Sequence, residues 1–249
     1  MRVAFVLLAE PRLPSAEAVI GSYREIAPSD PALLAELSPS DDSLSFKLAN
    51  GEGVVVTLVA VPVPNGEAEA NAEYSLSTIG KGWSLPEHRA HVIVARLSNE
   101  PRPSVERLSA YTRVVAAVAA ASGAVAVYLG DANATHDARF FVDIASSDTP
   151  LPGMLMLWNG ISIANEGKRL SLLSLGMSQL ELPDLLVTAP AKKANDALAY
   201  MFDLLAYVTL RGAPLREGDT VGMSLFDRRK VRYERSPIDA ASRVWRVDL

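Results

Sequence analysis

The chain has 249 residues, 49% of them hydrophobic and 21% charged, a balance that excludes a largely disordered protein and suffices for a sizeable buried core. Its net charge of −5 gives no general attraction to nucleic acid or to anionic membrane. There is no cysteine, which rules out disulfides, thiolate metal sites and a cysteine nucleophile.

The first apolar run, Val3–Ala9, is short for a signal-peptide core and is followed by Glu10 and Pro11 instead of a small-residue cleavage site, so it reads as a strand, Arg2–Leu8. Ser15 caps a helix that places Ala16, Val19, Ile20 and Tyr23 on one face. The polar stretch Pro28–Asp42 reads as a long loop. Leu44, Phe46 and Leu48 then alternate with Ser45 and Lys47, and Asn50-Gly51 turns the chain into Val54–Val61, which predicts a β-hairpin. Pro62 and Pro64 end the hairpin. Asn65–Gly82 is a small-residue, acidic excursion with weak helical character, and Ser84-Leu85-Pro86-Glu87 has the spacing of a capping box, predicting a helical turn into His88.

The centre of the chain reads as a complete βαβ unit. Ala90–Leu97 is short, β-branched and almost wholly apolar, as a strand covered on both faces should be. Asn99, Pro101 and Pro103 stop it, and Ser104 caps a helix whose Leu108, Tyr111, Val115 and Val118 recur at helical spacing. An alanine run, Ala116–Ala121 apart from Val118, leaves that helix thin enough to lie close on a sheet, and Gly123 ends it. Ala124–Leu129 is the second strand, expected to run parallel to the first. Thr135 is expected to cap a further helix carrying Phe140, Phe141 and Ile144, with Asp137 in its first turn.

Ser146–Pro152 is the boundary candidate, giving an N-terminal lobe 1–148 and a C-terminal lobe 149–249. Met154–Ile163 and Arg169–Leu175 read as a second hairpin turned at Asn165-Glu166-Gly167, and Leu185–Thr188 as a strand ended by Pro190. A helix from about Lys193 to Arg211 carries Leu198, Met201, Leu205 and Val208 on one face and closes at Gly212. Thr220–Met223 and Val231–Arg235 are short strands, and Val244, Trp245 and Val247 mark a docked tail. The fold class is therefore α+β: two packed lobes of mixed β-sheet with helices on one face, the first resembling a split βαβ sandwich of ferredoxin type. No segment approaches the roughly 18 apolar residues that span a bilayer.

Four stretches together resemble the bacterial domain-of-unknown-function family 4261. They are Val3–Leu8; Val61-Pro62-Val63-Pro64 followed at a distance by Glu87-His88-Arg89-Ala90-His91-Val92-Ile93; Gly176-Met177 with Leu182-Pro183-Asp184; and Gly218-Asp219-Thr220-Val221-Gly222. The family pattern tends to put an aromatic residue after the second proline, where this chain has Asn65. The resemblance implies a bacterial α+β protein and assigns no activity.

His88 and His91 form an H-x-x-H, and His136 is the remaining histidine. Three imidazoles with Asp131 or Asp137 could hold zinc, but residues three apart on a strand point to opposite faces, so no metal site is assigned. The loop Gly130–Asp137 lies between a strand and a helix, where α/β proteins tend to bind ligands, and makes His91, Asp131, His136 and Asp137 the candidate catalytic groups. There is no G-x-S-x-G elbow, no G-x-G-x-x-G and no phosphate-loop lysine. Arg228, Arg229, Lys230, Arg232 and Arg235 read as the charged face of an edge strand with Val231 and Tyr233 turned inward, which in a net-acidic protein argues against nucleic acid as a partner. The balance favours a cytoplasmic, non-enzymatic protein-binding or immunity-type module, with another protein as partner, no cofactor and no membrane. The alternative is a small-ligand-binding protein or hydrolase using the His/Asp cluster of the 130–137 loop.

Overall fold

The computed structural model describes residues 2–29, 34–35, 40, 42–79, 82–97, 104–146, 148–224 and 227–249. Most of the stretch Pro28–Asp42 and the strand stop at Asn99, Pro101 and Pro103 lie outside them. The first sheet contains β1 (Arg2–Leu8), β2 (Leu34–Ala35), β3 (Ser43–Lys47), β4 (Gly53–Val59), β5 (Ala90–Leu97), β6 (Ala126–Leu129) and β7 (Ala134–Asp137), in the order β2-β3-β4-β5-β1-β6-β7. The helices are α1 (Ala16–Ile26), the single turn α2 (Glu67–Ala70), α3 (Val105–Ser122), α4 (Ala138–Ile144), α5 (Leu151–Trp158) and α6 (Ala194–Arg211).

The predicted βαβ unit is present as β5–α3–β6, and β5 and β6 do run parallel. They do not pair: β1 lies between them, antiparallel to both. With β4 against β5, the run β6-β1-β5-β4 has the strand order of a split βαβ sandwich, to which β3, β2 and β7 are added at the edges. Every pairing in this sheet is antiparallel, so it is not the mixed sheet expected for this lobe.

Alternation along the strands divides the sheet into two faces. Ala4, Val6, Leu8, Val92, Val94 and Val127 are buried in the core that contains α1 and α3. Phe5, Leu7, His91, Ile93, Ala126 and Tyr128 point the other way, as their cross-strand registers require. There Leu7, Ala126 and Tyr128 are covered by Ala68 of the acidic excursion and by Val63, Trp83 and Leu85 from the segments flanking it, while Ile93 and Ala95 stay half-buried. β5 is thus fully covered on one face and only partly on the other.

The caps follow local chemistry. The Ser15 hydroxyl accepts from the Ala18 amide, the Ser104 hydroxyl from the Arg107 amide, and Gly123 closes α3 at φ 63°. Two expectations fail. Residues 83–88 form no helical turn; Trp83 and Leu85 are drawn onto the sheet instead. Thr135 caps nothing: it belongs to β7, where its hydroxyl donates to the Ala68 carbonyl at 2.6 Å, and Asp137 caps α4 by accepting from the Phe140 amide at 2.9 Å. Asp137→Ala is accordingly expected to cost about 1 kcal/mol in urea denaturation. A loss below the error of the measurement would contradict that capping role.

The second sheet has the order β13 (Arg232–Arg235), β14 (Arg243–Asp248), β10 (Leu185–Pro190), β9 (Arg169–Leu175), β8 (Gly160–Glu166), and is mixed because β10 and β14 are parallel. The docked tail is therefore a strand within the sheet. β11 (Thr220–Ser224) and β12 (Asp227–Lys230) form a separate ribbon. Met154–Trp158, read above as the first part of a hairpin strand, lies in α5, and only from Gly160 does the chain become β8. Tyr233 is also corrected: it is 38% exposed, with the Arg243 guanidinium 5.2 Å from its ring centre, while Val231 is buried.

The two sheets are joined by close backbone approach. A Cβ on Gly160 would lie 2.6 Å from the Ala132 carbonyl oxygen, and one on Gly176 would lie 3.2 Å from the Ala132 Cα. Buried residues from both sheets and from α1, α3, α4, α5 and α6 form one continuous core.

Candidate functional site

The three histidines do not converge. His91 pairs across β1 with Leu7, which in turn faces Ala126, and Ala126 pairs with Asp137. His91 and Asp137 therefore share a face, three strand spacings or about 14 Å apart. His136 is the next residue along β7 and points to the opposite face. Asp131 is half-exposed on the turn after β6, with a carboxylate oxygen 3.8 Å from the Arg2 guanidinium. Among the described residues no group of three or more His, Asp or Glu side chains could hold a metal ion.

Each histidine has a structural partner. His91 Nδ1 donates to the Val61 carbonyl at 2.8 Å, and burial lowers its pKa. The Val63 amide donates to His88 Nε2 at 3.3 Å, and His88 Nδ1 lies 3.6 Å from the Glu69 carboxylate. The H-x-x-H thus clamps the Val61–Pro64 corner onto the sheet, with Asn65 next in a left-handed conformation at φ 60°. His136 is fully buried. Its Nε2 donates to the Leu157 carbonyl at 3.0 Å and its Nδ1 accepts from the Ser75 hydroxyl at 2.7 Å. The chain of bonds continues from Ser77, whose hydroxyl contacts Ser75 and accepts from the Asp137 amide. Ser75 and His136 have the contact of a nucleophile–base pair, but both are 0% exposed, and burial pushes the His136 pKa down to about 4. This neutral imidazole ties the excursion, β7 and the end of α5 together.

The arrangement that is open to a partner lies elsewhere. A cleft of about 790 Å³ runs between β8 and the excursion with the segment just after it, lined by Glu69, Glu73, Tyr74, Trp83 and Leu85 on one side and by Ile161, Ser162 and Ile163 on the other. β8 is an edge strand, and among the described residues it pairs with β9 alone. Ile161 anchors it in the core at 1% exposure, whereas Ile163 is 49% exposed. Tyr74 reaches both the cleft and the apolar face formed by Leu173, Leu175, Leu186 and Val244. A hydrogen bond to Glu73, then burial, raises its phenol pKa.

Sequence reasoning missed this site, because it exists only once the excursion and β8 are brought together. It also missed Gln179, which gives no local signal. The Gln179 side chain donates to the Trp158 carbonyl at 2.8 Å and accepts from Arg2 at 3.0 Å, joining β1 to the end of α5. Nearby, the Asp184 carboxylate accepts from the amides of Gly176 and Met177, each at 3.0 Å, and from the Ser174 hydroxyl at 3.2 Å. Burial raises its pKa against the opposing effect of those bonds. Gly176-Met177 and Leu182-Pro183-Asp184 are therefore two halves of one backbone corner. In the same way, Asp219 of the Gly218–Gly222 stretch accepts from the Arg216 amide at 2.8 Å and fixes the approach to β11.

No curated protein and no solved structure matches the chain. A family model described as "Domain of unknown function (DUF4261)" matches residues 173–248, which include the Gly176–Asp184 corner and Gly218–Gly222 but neither Val3–Leu8 nor the Val61–Pro64 clamp. The match runs from within β9 to the end of β14, and over that region the chain is similar to DUF4261.

Proposed function

We propose that the chain is a non-enzymatic protein-binding module that accepts an extended segment of a partner as an added strand on β8. The observation that carries this reading is the cleft along that unpaired edge, with Tyr74, Trp83 and Leu85 opposite Ile163. Edge strands supply main-chain donors and acceptors, and alternate side chains of the added strand can enter the cleft. The seven residues of β8 extend about 24 Å, enough for a segment of similar length. Support also comes from the four candidate catalytic residues, which lie on two faces of a sheet or serve as a cap and a surface ion pair. A bacterial cytoplasmic setting belongs to the same proposal.

The test is selection of randomised decapeptides displayed on phage against the full chain, followed by measurement of selected peptides by fluorescence anisotropy. Bound peptides are expected to slow amide exchange within 160–166, and Ile163→Asn or Trp83→Ala to weaken them roughly tenfold, about 1.4 kcal/mol. Selected peptides that leave β8 exchange unchanged, or a library that yields none, would overturn the proposal.

A further inference from the structure

The cleft carries a charge pattern that the strand-addition reading does not use. Its described walls hold two carboxylates, Glu69 and Glu73, and no cationic side chain. The sequence from Glu67 to Leu85 contains three glutamates against one lysine. Both carboxylates stand on the exposed side of the excursion: Glu69, at 52% side-chain exposure, has His88 3.6 Å away, and Glu73 is hydrogen-bonded with Tyr74. The Trp83 indole and Tyr74 ring line the same space, and an aromatic face attracts a cation through its quadrupole. The negative field extends beyond the cleft. Tyr128, on the sheet face under the excursion, has its phenol pKa raised by burial and then by Glu67 and Asp131.

We infer that the segment docking on β8 is basic: an extended stretch of a partner protein that places a lysine or arginine between Glu69, Glu73 and the Trp83 ring, with apolar residues on either side at strand spacing. The inference rests on strand addition at β8. Alternation lets one face of the added strand meet the apolar side chains around Ile163 and Leu85 while its main chain pairs with the edge. The carboxylates lie on the excursion across from that edge, where a long, flexible basic side chain can reach them while its aliphatic stem covers the ring. An acidic segment would meet two like charges with no described counter-ion in the walls.

Charge dependence separates this inference from the reading beneath it. Peptides selected from the displayed library on the full chain are expected to contain lysine or arginine at one fixed position, with apolar residues two positions to either side. Synthetic versions of them should bind at least tenfold more weakly when that residue is replaced by glutamine. The Glu69→Gln/Glu73→Gln chain should bind basic and glutamine versions within twofold of each other, while both still slow exchange in 160–166. Raising the salt concentration should narrow the difference on the unaltered chain. Peptides that protect β8 but show no preference for a cation, or a preference that survives the double substitution, overturn the basic segment and leave strand addition standing. Peptides that never protect β8 overturn both. A preference retained by free lysine or arginine amide, competing at equal concentration with the peptide, would assign the cleft to a small cation and also overturn the inference.

Discussion

Gly176→Ala is expected to destabilise the fold by about 3 kcal/mol or more, because two separate costs fall on one methyl group. The residue sits at φ 140°, a conformation that side-chain-bearing residues rarely adopt. Its added Cβ would also lie 2.2 Å from the Trp158 carbonyl oxygen and 3.2 Å from the Ala132 Cα. Both neighbours are backbone atoms, which cannot rotate away, and both are held in place. Trp158 is fixed by its indole donating to Thr112 at 2.9 Å and by Gln179 on its carbonyl. In a chain of this length 1 kcal/mol shifts the melting temperature by about 2–4 °C, so a drop of at least about 6 °C is expected. Gly21→Ala is the control: Gly21 lies inside α1, has nothing within 4 Å of an added Cβ, and should gain up to about 1 kcal/mol. Equal melting temperatures for the two variants would refute the account of the close backbone approach at Gly176.

The second large effect is acid sensitivity from His136. An unfolded chain takes a proton on this ring near its ordinary value of 6.5, the folded chain only near 4. Between those values the unfolded state binds more protons, so stability falls as pH is lowered, with a limiting slope of about 1.4 kcal/mol per pH unit and a total of roughly 3 kcal/mol. The cause is geometric as well as dielectric. Nε2 must keep its hydrogen for Leu157, and Nδ1 must stay unprotonated to accept from Ser75. Rings of Phe140 and Phe141 pack around the imidazole at 6.2 and 5.9 Å, offering no counter-charge. His91 is shifted the same way by burial, so the decisive quantity is the difference between the parent and His136→Gln. The parent should be the more stable at pH 7, and its advantage should shrink steadily towards pH 4. An advantage that stays constant across that window would show that His136 is not buried neutral.

Short-range chemistry made much of the fold legible. Ser15, Ser104 and Gly123 each act within four residues of where they stand, and so could be placed from the sequence. Helix α5 could not. Its eight residues are apolar but for one glycine and one proline, and the face periodicity that separates helix from strand is lost when most sides of a helix are apolar. Thr135 and Asp137 are both good caps in isolation. What decided between them was the pairing of β7 with β6 through a tight turn at Asn133, whose left-handed φ of 47° lets the chain reverse. The strands supporting the split βαβ order were readable, but the insertion of β1 between β5 and β6 is a long-range pairing with no local trace. The candidate site was the least legible part. The histidines drew attention for their chemistry and proved to be clamps, while the cleft is made of ordinary residues, Tyr74, Trp83 and Ile163, given meaning by an unpaired edge.

The contact of Gly160 and Gly176 with the 132–133 turn bears on whether the region that matches the family model stands by itself. That region starts at Leu173, partway along β9, and leaves out β8, which pairs with β9 on that side. Cut out alone, it would expose Leu173 and Leu175 along a raw edge and strand Gln179 without Arg2. In this chain the matched stretch therefore does not stand by itself: it borrows a flanking strand from β8 and a grip on Gln179 from Arg2.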